Sequence, residues 1–122
     1  MEERREYYRL VKEVSVAHRV AGSILGGSAD TADISAGGLS FPTFQKLDRG
    51  MVLNLDITLP GFKKSINAET QVVWQAESKG SNERFLVGTK FIHIEENDRK
   101  RIVNFVTSAT RSRDAHNQLS HT

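Results

Sequence analysis

The 122-residue chain is the size of one ordinary domain, long enough to bury a core without staples. Its 17 Lys and Arg against 15 Asp and Glu leave a net charge of +2, well short of the basic excess of a dedicated nucleic-acid binder. It has no cysteine, which excludes disulfides, thiolate zinc sites and a cysteine nucleophile.

The first ten residues are charged and no apolar stretch follows them, so no signal peptide is read there. No apolar run approaches the roughly 20 residues of a membrane span. The expectation is a soluble, cytoplasmic protein without membrane insertion.

Residues 1–12 are polar and aromatic and lack a strand period. Arg4, Arg5 and Arg9 cluster here. Arg5 and Arg9 share a face if the segment is helical, and an extended arm fits the pattern equally. Residues 1–12 are therefore read as a flexible arm, residues 13–113 as the folded body and residues 114–122 as a polar tail.

From Val14 the period becomes two: Val14, Val16, His18 and Val20 alternate with polar or small residues, as on a half-buried strand. Gly26-Gly27 reads as a hairpin turn. A short strand through Ile34 and another from Gly38 to Phe41 flank Asp33-Ile34-Ser35-Ala36-Gly37-Gly38, and Pro42 marks an edge. Asp48-Arg49-Gly50 is a turn before a strand with Leu53, Leu55, Ile57 and Leu59 on its dry face. Pro60-Gly61 ends that strand. The returning strand places Ile66, Ala68, Thr70, Val72 and Trp74 at period two, and a last strand runs from Phe85 to Ile94. Gly88 within it predicts a bulge or a close backbone approach. Ile102, Phe105, Val106 and Ala109 then follow helical spacing, with Glu95, Glu96 and Asp98 at the favourable N-terminal end. Five or six strands followed by one helix predict a small antiparallel barrel covered by that helix. A βαβ arrangement fails, because no helix lies between strands.

The chain carries neither a phosphate-cradling Gly-x-x-x-x-Gly-Lys-Ser/Thr loop nor a His-Glu-x-x-His or His-x-His pair. His18 and His93 read as a satisfied or surface histidine, not as metal ligands. No residue set supports an enzyme. What remains is a polar turn at residues 33–38 and an arginine cluster. Asp33 and Ser35 supply a carboxylate and a hydroxyl, and Gly37 and Gly38 permit positive φ and leave no Cβ before a ligand. With the arginines they suit a guanine nucleotide with phosphates; taken alone, the same pattern is a tight turn.

Arg5-Glu6-Tyr7-Tyr8-Arg9, followed after one hairpin by Asp33-Ile34-Ser35-Ala36-Gly37-Gly38, resembles the paired Arg-x-x-x-Arg and Asp-x-Ser-x-x-Gly motifs of the PilZ domain, a family of bacterial receptors for cyclic diguanylate. Gln71-Val72-Val73-Trp74 and Gly88-Thr89-Lys90-Phe91 extend the likeness, over about residues 4 to 106. The resemblance implies an all-β fold: a six-stranded antiparallel barrel closed by a C-terminal α-helix. It implies a cyclic di-GMP receptor with no cofactor and no catalysis, which signals by ligand-induced ordering of the arm and contact with a downstream protein. Arg5 and Arg9 would grip phosphate and the O6/N7 edge of guanine, where a planar fork of donors fits. Asp33 would accept from guanine N–H groups, and Ser35 with Gly37 and Gly38 would complete the floor. Arg4 occupies the position that bears on whether one ligand molecule or two bind. Trp74 is read either as core or as an aromatic wall for guanine. On this reading a side chain at Gly38 blocks the ligand more than the fold. Two other readings stand beside it: a PilZ-like adaptor that does not bind the dinucleotide, and a small barrel for single-stranded nucleic acid, which the modest charge disfavours.

Overall fold

A computed structural model describes residues 14–77 and 85–120, with side chains described through residue 109. Arg4, Arg5 and Arg9 lie outside the described residues. Among the described residues seven strands precede one helix: β1 (Ser15–Val20), β2 (Gly26–Asp30), β3 (Asp33–Ser35), β4 (Gly38–Thr43), β5 (Val52–Thr58), β6 (Ile66–Glu77), β7 (Phe85–Ile94) and α1 (Glu96–Ser120). They form one curled antiparallel sheet in the order β2-β1-β5-β6-β7-β4-β3. The architecture is the expected one, with seven strands where six were expected. The helix is longer than expected: residues 114–120, read as a tail, are helical in backbone.

Alternation decides what enters the core. On β5, Leu53, Leu55 and Ile57 are buried, and Leu59 follows in register just beyond it. Val16, Ile34, Leu39, Phe41, Ile66, Val72 and Val87 meet them from the other strands. The helix adds Ile102 and Val106, which are buried, with Phe105 and Ala109 packed alongside. Each such side chain contributes roughly 1.5–3 kcal/mol by leaving water. Acidic Glu96 and Asp98 fall in the first turn of α1, where the helix dipole favours them. Arg101 ties the helix to the β5–β6 connection: it pairs with Asp98 at 3.1 Å, donates to the Lys64 carbonyl, and lies 5.2 Å from the Phe62 ring centroid.

Two turns fall where glycine takes positive φ: Gly50 (93°) after Asp48, and Gly61 (85°) after Pro60. The first hairpin differs from expectation. Gly26 and Gly27 belong to β2, and the turn precedes them, with Gly22 at φ 76°. Gly26 is a packing glycine: a Cβ there would overlap the backbone carbonyl of His18. Pro42 sits within β4 opposite Leu86, which an edge allows, since β3 reaches only from Gly38 to Ser40 on the other side.

Candidate functional site

The Asp-x-Ser-x-x-Gly segment forms the hairpin between β3 and β4, with Asp33 opposite Ser40, Ile34 opposite Leu39 and Ser35 opposite Gly38. Its tip is held from three directions. The Ser35 hydroxyl accepts from the Gly37 N–H at 3.2 Å and donates to the Gly38 carbonyl at 3.4 Å. The Phe91 N–H donates to the Gly37 carbonyl at 2.9 Å. Arg99, reaching from the first turn of α1, donates to the Ala36 carbonyl at 2.6 Å. A charged donor to a carbonyl is worth roughly 1.5–3 kcal/mol, so Arg99 is a principal clamp on this turn. Its role had no signal in the sequence, where it reads as one of three consecutive cations.

The glycines behave differently from the expectation. Neither Gly37 nor Gly38 has positive φ. At Gly38 the missing Cβ answers to the protein, because a Cβ would overlap the Thr89 carbonyl oxygen and lie 2.9 Å from the Lys90 Cα. Gly38 thus lets β4 press onto β7. Ser35 is buried and engaged within the turn, so its hydroxyl shapes the hairpin.

Asp33 heads a row that crosses four strands. It lies opposite Ser40, which lies opposite Gly88, which lies opposite Trp74. Directly opposed residues of antiparallel strands share a face. Side-chain geometry agrees at both ends: the Ser40 hydroxyl donates to Asp33 Oδ1 at 3.0 Å, and the indole of Trp74 covers the position a Gly88 side chain would take. The alternate residues Ile34, Leu39, Phe41 and Val87 point into the core, so the row lies on the opposite face of the sheet. Three strand spacings of about 4.8 Å separate its ends by roughly 14 Å.

Trp74 reaches this face because of a bulge. The β6–β7 register shifts between Val72 and Trp74, and the extra residue turns Trp74 away from the core face that Ile66, Ala68, Thr70 and Val72 occupy. Of the two readings of Trp74, core placement is therefore overturned: the side chain is 39% exposed. Lys90 and Gln71 form the next outward pair beside it.

The chain enters the fold next to this row. The Thr31 N–H donates to the Val14 carbonyl at 2.8 Å, and the Ala32 N–H to the Ser40 carbonyl at 2.8 Å. Residue 14 is thereby fixed two strand positions from Asp33. Elsewhere, His93 is exposed and lies 3.7 Å from Glu69. His18 is buried, and both its ring nitrogens are without a partner, contrary to the satisfied histidine expected. Among the described residues no group of three or more His, Asp or Glu is placed to hold a metal, and no helix is long and apolar enough to cross a membrane.

Comparison with solved structures finds the same fold. The Bacillus subtilis inhibitor of motility MotI/DgrA superposes with a TM-score of 0.78 at 19% identity, over 91% of this chain and 53% of that one. The K. pneumonia MrkH–c-di-GMP complex gives 0.77 at 16%, over 94% and 56%. The c-di-GMP-bound PilZ domain of Escherichia coli YcgR gives 0.68 at 16%, over 98% and 100%. The chain thus spans about half of MotI and MrkH, and all of the isolated YcgR domain. A search of curated proteins finds no match. The sequence profile of the PilZ domain matches residues 3–108, most of the chain, and the chain belongs to the PilZ domain family.

Proposed function

We propose that this chain is a receptor for cyclic di-GMP that acts without catalysis, through contact with a downstream protein. The observation that carries the reading is the outward row Asp33–Ser40–Gly88–Trp74, with the chain entering beside it at Val14. One end offers a carboxylate that can accept from the N–H groups of a guanine. The other offers an indole face on which a purine can stack, worth roughly 1–3 kcal/mol per base. Between them Ser40 presents little bulk, and Gly88 lies beneath the Trp74 indole.

The phosphates call for cations. Arg9 is five residues before Val14, and an extended chain spans at most about 3.6 Å per residue, so its Cα lies within roughly 18 Å of that anchor. Arg5 and Arg9 complete the site in this proposal, with Arg4 adding a further contact where two ligand molecules stack. Ser35, Gly37 and Gly38 act by setting the hairpin that aims Asp33. The c-di-GMP complexes of MrkH and YcgR, which share the fold, support the choice of ligand. Bridging between the arginines and the sheet would order residues 1–12 over the row, and the downstream protein would read that surface.

Isothermal titration with cyclic di-GMP, against linear pGpG and GTP, tests the proposal. Saturable binding of the cyclic ligand, lost in Arg9→Ala and in Asp33→Ala, is the expected result. Absence of binding to all three nucleotides by the folded protein overturns it and favours the adaptor.

A further inference from the structure

The connection from β5 to β6 carries an aromatic ring and two lysines on a fixed turn. Leu59-Pro60-Gly61-Phe62 has the features of a type II turn. Proline presets φ at its second position, Gly61 at the third has φ 85°, and the Phe62 N–H donates to the Leu59 carbonyl at 3.1 Å. Beyond the turn, Arg101 of α1 donates to the Lys64 carbonyl and stands 5.2 Å from the centroid of the Phe62 ring. Asp98 holds that guanidinium at 3.1 Å. The segment is thus fixed twice, by its own hydrogen bond and by the helix.

What it fixes is exposed. Phe62 is 42% exposed, and Lys63 and Lys64 are exposed beside it, as is Lys100, the helix residue next to Arg101. Among the described residues the ion pairs are Arg101 with Asp98 and His93 with Glu69, so none of these three lysines has an anionic partner. A connection that only joined two strands would need neither the ring nor its guanidinium support. Aromatic and arginine side chains are enriched at binding surfaces, and an anchor already ordered in the free protein loses little freedom on binding.

We propose that Phe62, Lys63, Lys64 and Arg101 form a docking surface for an acidic segment of the downstream protein, one with an apolar side chain to cover the Phe62 ring. The inference rests on the receptor reading, which calls for such a protein, and gives it a place to bind. Charge complementarity selects the partner. Residues 59–64 contain no acidic side chain, and Asp98 is already engaged by Arg101, so the turn meets a partner with positive charge alone. A nucleic-acid backbone asks for a long cationic track, which a chain of net charge +2 does not supply. A lipid surface asks for a broad apolar face, and here there is one ring, shared with a guanidinium. The same turn of α1 also supports the nucleotide-site hairpin, since Arg99 donates to the Ala36 carbonyl, so both surfaces stand on one strut.

The test titrates the full-length chain, with and without cyclic di-GMP, into a fluorescein-labelled peptide of three Glu-Glu-Leu-Leu repeats. The same peptide with Gln for Glu, phosphatidylglycerol vesicles and a DNA duplex are the comparisons. The expected result is saturable binding of the acidic peptide, at least tenfold tighter than of its Gln counterpart and weakened by added salt. Phe62→Ala and the double variant Lys63→Glu with Lys64→Glu should each weaken it at least fivefold, with melting temperatures near that of the wild type. Cyclic di-GMP affinity, measured on the same samples, should stay at the wild-type value, so failure of the docking surface and failure of the receptor reading are read separately. Equal affinity for the Glu and Gln peptides, no saturable binding in either state, unchanged binding in the double variant, or tighter binding to the vesicles or the duplex would overturn the proposal.

Discussion

The indole of Trp74 occupies the space directly above the Cα of Gly88, so that any side chain at residue 88 would overlap Cε2 and Nε1 of the ring. The pair sits in register across β6 and β7. Gly88→Ala should therefore swing the indole off the sheet. The expected result is a shift in tryptophan emission, a stability loss of about 1–3 kcal/mol from overpacking, and weaker nucleotide binding. Trp74→Ala should remove about 1–3 kcal/mol of binding through lost stacking while barely changing the melting temperature, because the ring is not part of the core. Fluorescence, calorimetric titration and thermal melts of the two variants separate these effects.

Gly38 should act on the fold first. A Cβ there meets backbone, the Thr89 carbonyl and Lys90 Cα, which cannot rotate away as a side chain could. Gly38→Val is expected to lower stability by at least about 2 kcal/mol, the scale of severe steric change. Chemical denaturation measures it; a variant of wild-type stability that no longer binds nucleotide would return Gly38 to the ligand site.

Most of the strand pattern was legible because alternation is local: Leu53, Leu55, Ile57 and Leu59 declare their face without reference to any partner. Asp33 and Ser35 were legible as a polar hairpin for the same reason. What escaped depended on other strands. The face of Trp74 is set by a bulge against β7, and the purpose of Gly38 by the Thr89 carbonyl, which is 51 residues away in sequence. Ser40 is one polar residue among apolar neighbours in sequence, and only strand register brings it to Asp33. Gly26-Gly27 reads as a turn in sequence because glycine signals both positive φ and close packing, and sequence alone does not separate them.

Ser40 should orient the Asp33 carboxylate, since its hydroxyl donates to Oδ1 at 3.0 Å. Ser40→Ala is expected to weaken cyclic di-GMP binding by about tenfold, the worth of one hydrogen bond to a charged group, with folding lowered by roughly 1–2 kcal/mol. Ser40→Thr, which keeps the hydroxyl, should restore most of the affinity. Equal affinities in the wild type and Ser40→Ala would show that the contact serves the hairpin alone.

Arg99 should matter to the hairpin without touching the row. Its bond to the Ala36 carbonyl joins α1 to the β3–β4 tip. Arg99→Ala is expected to cost about 1.5–3 kcal/mol of stability and to raise amide exchange at residues 35–38. Arg99→Lys should recover part of this. Unchanged exchange at the tip in Arg99→Ala would contradict the clamp.

His18 should give the fold an acid-side weakness. Burial lowers its pKa in the folded state, whereas the unfolded chain titrates near the ordinary value of about 6.5. Above that value the imidazole is neutral in both states and contributes no pH dependence. As the pH falls below it, the unfolded chain binds a proton that the folded chain does not, so stability declines, by at most about 1.4 kcal/mol per pH unit for one group, until the lowered folded pKa is reached. His18→Phe removes the group and two orphaned nitrogens together, and each such buried orphan costs roughly 1–3 kcal/mol. The variant should therefore be more stable than the wild type at pH 7.5, and its melting temperature should fall less between pH 7 and pH 5. Parallel melting curves for the two proteins across that interval would place the acid sensitivity elsewhere in the chain.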